Sequence, residues 1–249
     1  MMLLLLQLLF AHLVADFVIQ PLSWVKDKEQ KSFASSKLLL HTLVHALLYA
    51  IVLKFAPRYW LGFIVLVVSH YLIDGLKCWL NPIADRLENR LGLFNRRTLF
   101  LLDQLLHIAV ILWVVHYYQP LDLQSVGFSS EKLWLMLVAL IMLTHVSSVV
   151  IKVMISRWTP LNAHDGEHSL ANAGSFIGIL ERLFIFVFII TNHWEGVGFL
   201  LAAKSVFRFG DLKEAHDRKL TEYILIGTLI SFGMALLIGM GYIYAIGLI

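Results

Sequence analysis

Apolar positions run along this chain in stretches of roughly 20 residues, the length an α-helix needs to cross about 30 Å of hydrocarbon. Eight helices are predicted, over about 2–20, 37–56, 59–80, 98–118, 132–155, 172–191, 194–209 and 220–247. The seventh is short and carries Lys204 and Arg208, so it need not cross, and seven spans is the alternative. Pro82, Pro120 and Pro160 fall in predicted connections. The expected fold class is all-α: a polytopic transmembrane helical bundle forming a single integral membrane domain over 1–249. A four-helix half (1–118) is followed by a second helical half (132–249).

Composition narrows the class. The 249 residues are 59% hydrophobic and 15% charged, against about 45–50% and about 25% in soluble domains. That excludes a soluble globular domain, a disordered chain and a nucleic-acid module, and makes the lipid bilayer the first partner. The single cysteine, Cys78, excludes an intramolecular disulfide and a cysteine metal cluster. Met1 to Phe10 has no Lys or Arg before its apolar core, so the first segment reads as a retained span.

Charge gives an expected orientation. Loop 21–37 carries Lys26, Lys28, Lys31 and Lys37, and loop 81–97 carries Arg86, Arg90, Arg96 and Arg97. The alternate connections are poor in Lys and Arg. The bias puts the rich loops in the cytoplasm and the N-terminus outside; with eight spans the C-terminus is outside too.

The candidate chemistry sits inside the first four spans. They carry His12 and Asp16, His41 and His45, His70 and Asp74, Asp103 and His107. Each pair is spaced i, i+4 and projects from one face of its helix. Ionisable groups in hydrocarbon cost several kcal/mol and usually face a bundle interior or a water-filled cavity. Successive spans alternate in direction, and the order within each pair reverses to match. Asp16, His41, Asp74 and Asp103 therefore form one layer near the cytoplasmic face. His12, His45, His70 and His107 form a second, about 6 Å deeper.

Imidazoles and carboxylates without thiolate suit Zn²⁺, Mn²⁺ or Fe²⁺. Zinc ranks ahead of the other two. Eight groups suit two ions, or one ion with outer carboxylates orienting the histidines. His12, His45, His70 and His107 are the main candidate ligands. Asp16, Asp74 and Asp103 would bridge metals, complete coordination or act as general base, and His41 could join either role. Gln20 and Lys77 lie at the inner mouth, where Lys77 could hold a substrate anion. A proton relay and interhelical hydrogen bonding are the alternatives.

In the second half, Arg182, Lys204 and Arg208 could form a pocket for phosphate or a lipid head group, with Glu181 and Glu222 as counter-charges. The competing reading is an ion-pair network between helices. His145 reads as core packing, and the string Asn162 to His168 as a solvated loop.

The stretch His12-Leu-Val-Ala-Asp-Phe-Val-Ile-Gln20, the His41/His45 and His70/Asp74/Lys77 groups, Gly178-Ile-Leu-Glu-Arg182, Ala203 to Phe209 and Glu222 to Thr228 resemble the bacterial DUF3307 family of membrane proteins. The resemblance runs over nearly the whole chain. It implies a cytoplasmic-membrane location and no particular reaction. The combined expectation is a membrane metalloprotein with a site open toward the cytosol. If it is an enzyme, it hydrolyses a lipid-linked or amphipathic anion. The rivals are a divalent-cation or proton-coupled transporter and a structural or regulatory membrane protein.

Overall fold

Leucine-rich stretches without internal proline make the first helix, α1, over Met2–Val14, and it continues as one π-helical turn, Ala15–Ile19. Pro21 then opens α2 (Leu22–Lys31). A 3₁₀ turn, Ser32–Ala34, follows, with Ser32 at φ 48°. Extended Ser35 turns the chain by 104° into α3 (Ser36–Val52). Its hydroxyl oxygen accepts from the amides of Lys37 and Leu38, both at 3.1 Å, and so caps the new helix. The rest are α4 (Trp60–Leu91), α5 (Arg96–Tyr118), α6 (Ser130–Ile141), α7 (Ser147–Ile155), α8 (Ala173–Ile190), α9 (Trp194–Val206) and α10 (Ala215–Ile246). A second π turn, Met142–Val146, joins α6 to α7. The computed structural model describes residues 2–91, 95–118, 130–158, 173–206 and 215–249, and among them there is no strand.

Each of the eight expected helices has a counterpart, but fewer are built to cross. Five are long and apolar enough: Met2–Ile19, Pro57–Arg86, Arg96–Tyr118, Glu131–Trp158 and Glu222–Ile246. The bent pair Leu22–Ala34 and Ser36–Val52 makes a sixth if it counts as one span. Helix α9 has 13 residues, about 20 Å at 1.5 Å per residue, which is short of the hydrocarbon thickness. Two expectations need correction. The stretch 21–37 is mostly helix, not a loop. Pro82 lies inside α4, which runs on past the predicted end of the third helix. Pro120, Pro160 and the 162–168 string lie outside the described residues.

The chain divides into two compact units, Met1–Trp134 and Leu135–Ile249. In the first, α1, α3, α4 and α5 pack around an apolar core that includes Leu8, Tyr49, Leu66, Ile111 and Val114, each no more than 2% exposed. Gly62 lets α4 sit close against α5: a Cβ there would stand 2.9 Å from Val114 and closer still to the Tyr118 ring. In the second unit, α8 packs on α10 through Ile185, Ile189 and the Phe186–Tyr242 edge contact at 5.2 Å. Gly239 lets Ile189 seat against α10, since a Cβ there would meet it at 2.8 Å.

Candidate metal centre

The four i, i+4 pairs converge in the first unit. His12 (α1), His45 (α3), His70 (α4) and His107 (α5) close a ring. Its neighbouring centroids are 5.4 Å apart for His12–His45, 3.6 Å for His45–His70, 4.3 Å for His70–His107 and 5.0 Å for His107–His12. His45 and His107 each stack on His70. None of the four is more than 4% exposed. One helical turn away, Asp16, His41, Asp74 and Asp103 form the second layer. His41 Nε2 lies 3.0 Å from Asp16 and 3.6 Å from Asp74.

One turn on the other side of the ring stands a third layer that the sequence reading did not name: Leu8, Tyr49, Leu66 and Ile111. Each is offset by four residues from its histidine, and each is buried. Three layers of four, each contributed by the same helices in alternating direction, follow from one i, i+4 stripe per helix. The aspartate layer opens toward Lys77, whose side chain is 20% exposed. The opposite side is closed by apolar side chains.

Two ammonium groups penetrate the aspartate layer. Lys77 bonds Asp74 Oδ1 at 3.0 Å and Asp103 Oδ2 at 2.8 Å. Lys28, on α2, bonds Asp74 Oδ2 at 2.5 Å and is 3% exposed. Sequence reading counted Lys28 among loop charges and so missed it. The signal was a short amphipathic stretch, Leu22 to Lys31, hung between Pro21 and the Ser35 cap. Gln104 was also missed: its amide bridges Asp16 Oδ2 at 3.0 Å and Asp103 Oδ2 at 3.1 Å. So was Tyr49, whose hydroxyl lies 3.4 Å from His12 Nδ1. Gln20, expected at the mouth, makes no bond into the cluster; its amide nitrogen is buried and unpartnered.

Three overlapping sets of donors could hold a metal ion, each with one atom per residue within 4.8 Å of the others: His12, Asp16, His45 and His70; His41, His70 and Asp74; Asp74, Asp103 and His107. A tetrahedral ion with bonds of about 2.0 Å needs donors about 3.3 Å apart, so contraction of up to about 1.5 Å would complete the first set. His12 Nε2 and His107 Nε2 are buried without a hydrogen-bond partner, as is Asp103 Oδ1. Orphaned buried acceptors facing a carboxylate are what a cation would satisfy.

Each ring histidine lies within two residues of the middle of its helix, in Met2–Ile19, Ser36–Val52, Pro57–Arg86 and Arg96–Tyr118. Exposed Trp60 and Trp79, 19 residues or about 28 Å apart on α4, bracket His70 almost symmetrically. The ring is central to the helices. Only the lysine-bearing side approaches an end.

The expected cations of the second unit have local partners. Lys204 Nζ bonds Glu181 Oε2 at 2.6 Å. Arg182 donates from Nε to the Leu143 carbonyl and from Nη2 to the Thr144 carbonyl and the Ser148 hydroxyl. Its Nη1 donates to the Ser231 hydroxyl. Leu143 and Thr144 belong to the π turn, and the Thr144 carbonyl also accepts from the Ser148 hydroxyl at 2.6 Å. Arg182 thus stitches a backbone irregularity. Arg208 lies outside the described residues.

No curated protein and no solved structure matches this sequence. One family model, described as a protein of unknown function, matches residues 4–136. That is just over half the chain and nearly the whole of the unit holding the histidine ring. The second-half motifs that contributed to the resemblance fall outside the matched span. The chain belongs to the DUF3307 family.

Proposed function

We propose that this chain is an integral membrane metalloprotein. It binds one divalent cation, zinc ahead of manganese or iron, at His12, Asp16, His45 and His70. The observation that carries the reading is that these four donors converge within 4.8 Å while His12 Nε2 is buried without a partner. The partition of the carboxylates favours this set over the other two. Asp74 has an ammonium on each oxygen, and Asp103 shares Lys77 and Gln104 on one. Among the described residues no ammonium bonds Asp16: its Oδ1 faces His41 and His45, and its Oδ2 accepts from the neutral Gln104 amide.

Charge argues for one ion rather than two. Three buried carboxylates face two ammoniums, which leaves one negative charge. One divalent ion would bring the cluster to a single net positive charge. A second ion would leave it strongly positive in a low-dielectric interior. In the hydrolase reading the ion would supply Lewis-acid activation, Asp103, whose Oδ1 is buried without a hydrogen-bond partner, would serve as general base, and Lys77 would form the cationic entrance. The substrate class is an anionic amphiphile or lipid-linked anion reaching in from the lysine side.

A second reading, a divalent-cation or proton-coupled transporter, is favoured by one observation. The ring lies mid-helix, where transporters place coupling ions. Elemental analysis of the purified full chain tests the metal. Absence of a stoichiometric divalent ion overturns both metal readings. With metal present, hydrolytic turnover without flux in proteoliposomes selects the enzyme, and the reverse selects the transporter.

A further inference from the structure

The second unit holds a cavity of about 440 Å³ whose chemistry is unrelated to the histidine ring. It lies where the end of α7, the start of α8, the end of α9 and the start of α10 meet. The lining residues reach from Ser148 to Ile155, from Gly174 to Arg182, and from Tyr223 to Ser231, with Lys204 from α9. These helices alternate in direction, so all four contribute from the same end of the unit.

The charges on the wall are unequal. Lys152, Arg182 and Lys204 face a single acidic group, Glu181, which leaves a net charge of about two positive units. Lys204 is held by Glu181 at 2.6 Å but keeps further N–H groups. Arg182 is 3% exposed, and its four bonds leave one of its five N–H groups, on Nη1. Gly178 keeps that nitrogen accessible: a Cβ there would stand 3.3 Å from it. Hydroxyls of Ser148, Ser175 and Thr228 complete a polar floor, while Ile151, Ile155 and Ile224 make an apolar flank.

We infer that this cavity binds a phosphate-class anion, carried on a lipid head group or free. The geometry departs from the sequence expectation in detail. Arg182 is anchored first to the π turn and presents only one edge, so exposed Lys152, absent from the expected pocket, supplies a further positive charge on the wall. The volume lies within the roughly 300–1,000 Å³ typical of small-molecule sites. It exceeds what one phosphate fills, which gives the apolar flank a role against a glycerol or acyl portion.

The test uses the full chain in uncharged detergent, with three probes: phosphatidic acid, phosphatidylcholine and inorganic phosphate. Retention is read by native mass spectrometry and stabilisation by thermal shift. Phosphatidic acid should bind in preference to phosphatidylcholine, and Lys152→Gln should weaken that binding about fivefold. Gly174→Trp should abolish it, because Gly174 lines the cavity and a Cβ there meets nothing within 4 Å. Both positions are exposed, so both variants are expected to fold. A shift with inorganic phosphate alone, lost in Gly174→Trp, supports the site and identifies a free anion as sufficient. A shift with phosphatidic acid only, lost in the same variant, identifies the head group. Equal binding of both lipids with no response to phosphate, or binding unchanged in both variants, overturns the inference.

Discussion

Replacing His45 by Asn separates the proposed ion site from the neighbouring aspartate layer. His45 is fully buried, lies 2.9 Å from Asp16 Oδ1 and belongs to the four-donor set. Asn is chosen over Ala because an emptied site would cost about 2–5 kcal/mol in cavity terms alone and confuse the readout. Structural zinc sites bind with about 10–16 kcal/mol. Loss of one ligand in four removes about 3–4 kcal/mol, which is a weakening of about 10²- to 10³-fold. An ion held that much more weakly should be stripped by a chelator at a concentration that leaves the parent protein occupied. Asp103→Asn is the counterpart. Asp103 is bonded to Lys77 and Gln104 and lies outside the donor set, so its replacement should act from a distance and weaken binding about tenfold. The assay is metal per chain by elemental analysis, with a melting curve on each variant. The expected result is an empty His45→Asn protein and an occupied Asp103→Asn protein, both folded. Loss of metal from Asp103→Asn with retention in His45→Asn would place the ion among the carboxylates and refute the partition argued from the lysines.

Lys28→Met should destabilise the first unit by about 3–5 kcal/mol, because it leaves Asp74 buried with one ammonium in place of two. Chemical unfolding of Lys28→Met with Asp74→Asn should then show a smaller loss than Lys28→Met alone; equal losses would mean the two residues are not coupled. Gly75→Val should force the Phe33 ring aside, since a Cβ at Gly75 would run into it, and cost about 1–3 kcal/mol. That displacement should also raise protease cleavage within α2, and unchanged cleavage would show that Phe33 does not pin α2 on α4. Arg182→Leu should cost about 1–3 kcal/mol, because the Leu143 carbonyl loses its Arg182 donor while Thr144 keeps the Ser148 hydroxyl, read as a fall in melting temperature; Lys204→Gln should cost less because Lys204 is partly exposed.

The helices and the histidine–aspartate stripes were legible because each rests on a local rule. A run of apolar residues demands a helix in lipid, and i, i+4 spacing fixes a face. Alternating direction then sets the layers, and no tertiary information is needed to see that His12, His45, His70 and His107 share one depth. Absolute depth was not legible in the same way. The distance to the nearest polar residue is its guide, and that guide says little where α4 runs on through Pro82 to Leu91 and where polar Lys77 turns inward to Asp74. Lys28 was missed for a related reason. Its charge was read as solvated because its neighbours are Lys26, Asp27 and Glu29, yet the 104° turn at Ser35 folds α2 back against α3 and α4. A chain reversal is invisible to periodicity. The π turns were missed because they replace one hydrogen bond without changing composition.

The layer of Leu8, Tyr49, Leu66 and Ile111 bears on which reading of the ring is stronger. An ion leaving the ring toward Tyr118 would meet these four side chains, then Leu4, Leu53, Val114 and Val115, over about two helical turns or roughly 11 Å. Beyond the Tyr49 hydroxyl, those side chains offer no polar atom to replace lost ligands, and a bare divalent ion in such surroundings faces a penalty of many kcal/mol. Packing there is tight, as Gly62 against Tyr118 and Val114 shows, so passage requires α1, α3, α4 and α5 to part rather than a few side chains to rotate. The lysine side asks for no such rearrangement: Lys77 already reaches solvent while holding Asp74 and Asp103. A reactant can therefore approach and leave by one face, as hydrolysis needs. Transport needs two faces, and the second would have to be created against the best-packed core of the unit. One-sided access and mid-helix depth thus pull in opposite directions, and the apolar layer makes the hydrolytic reading the less costly of the two.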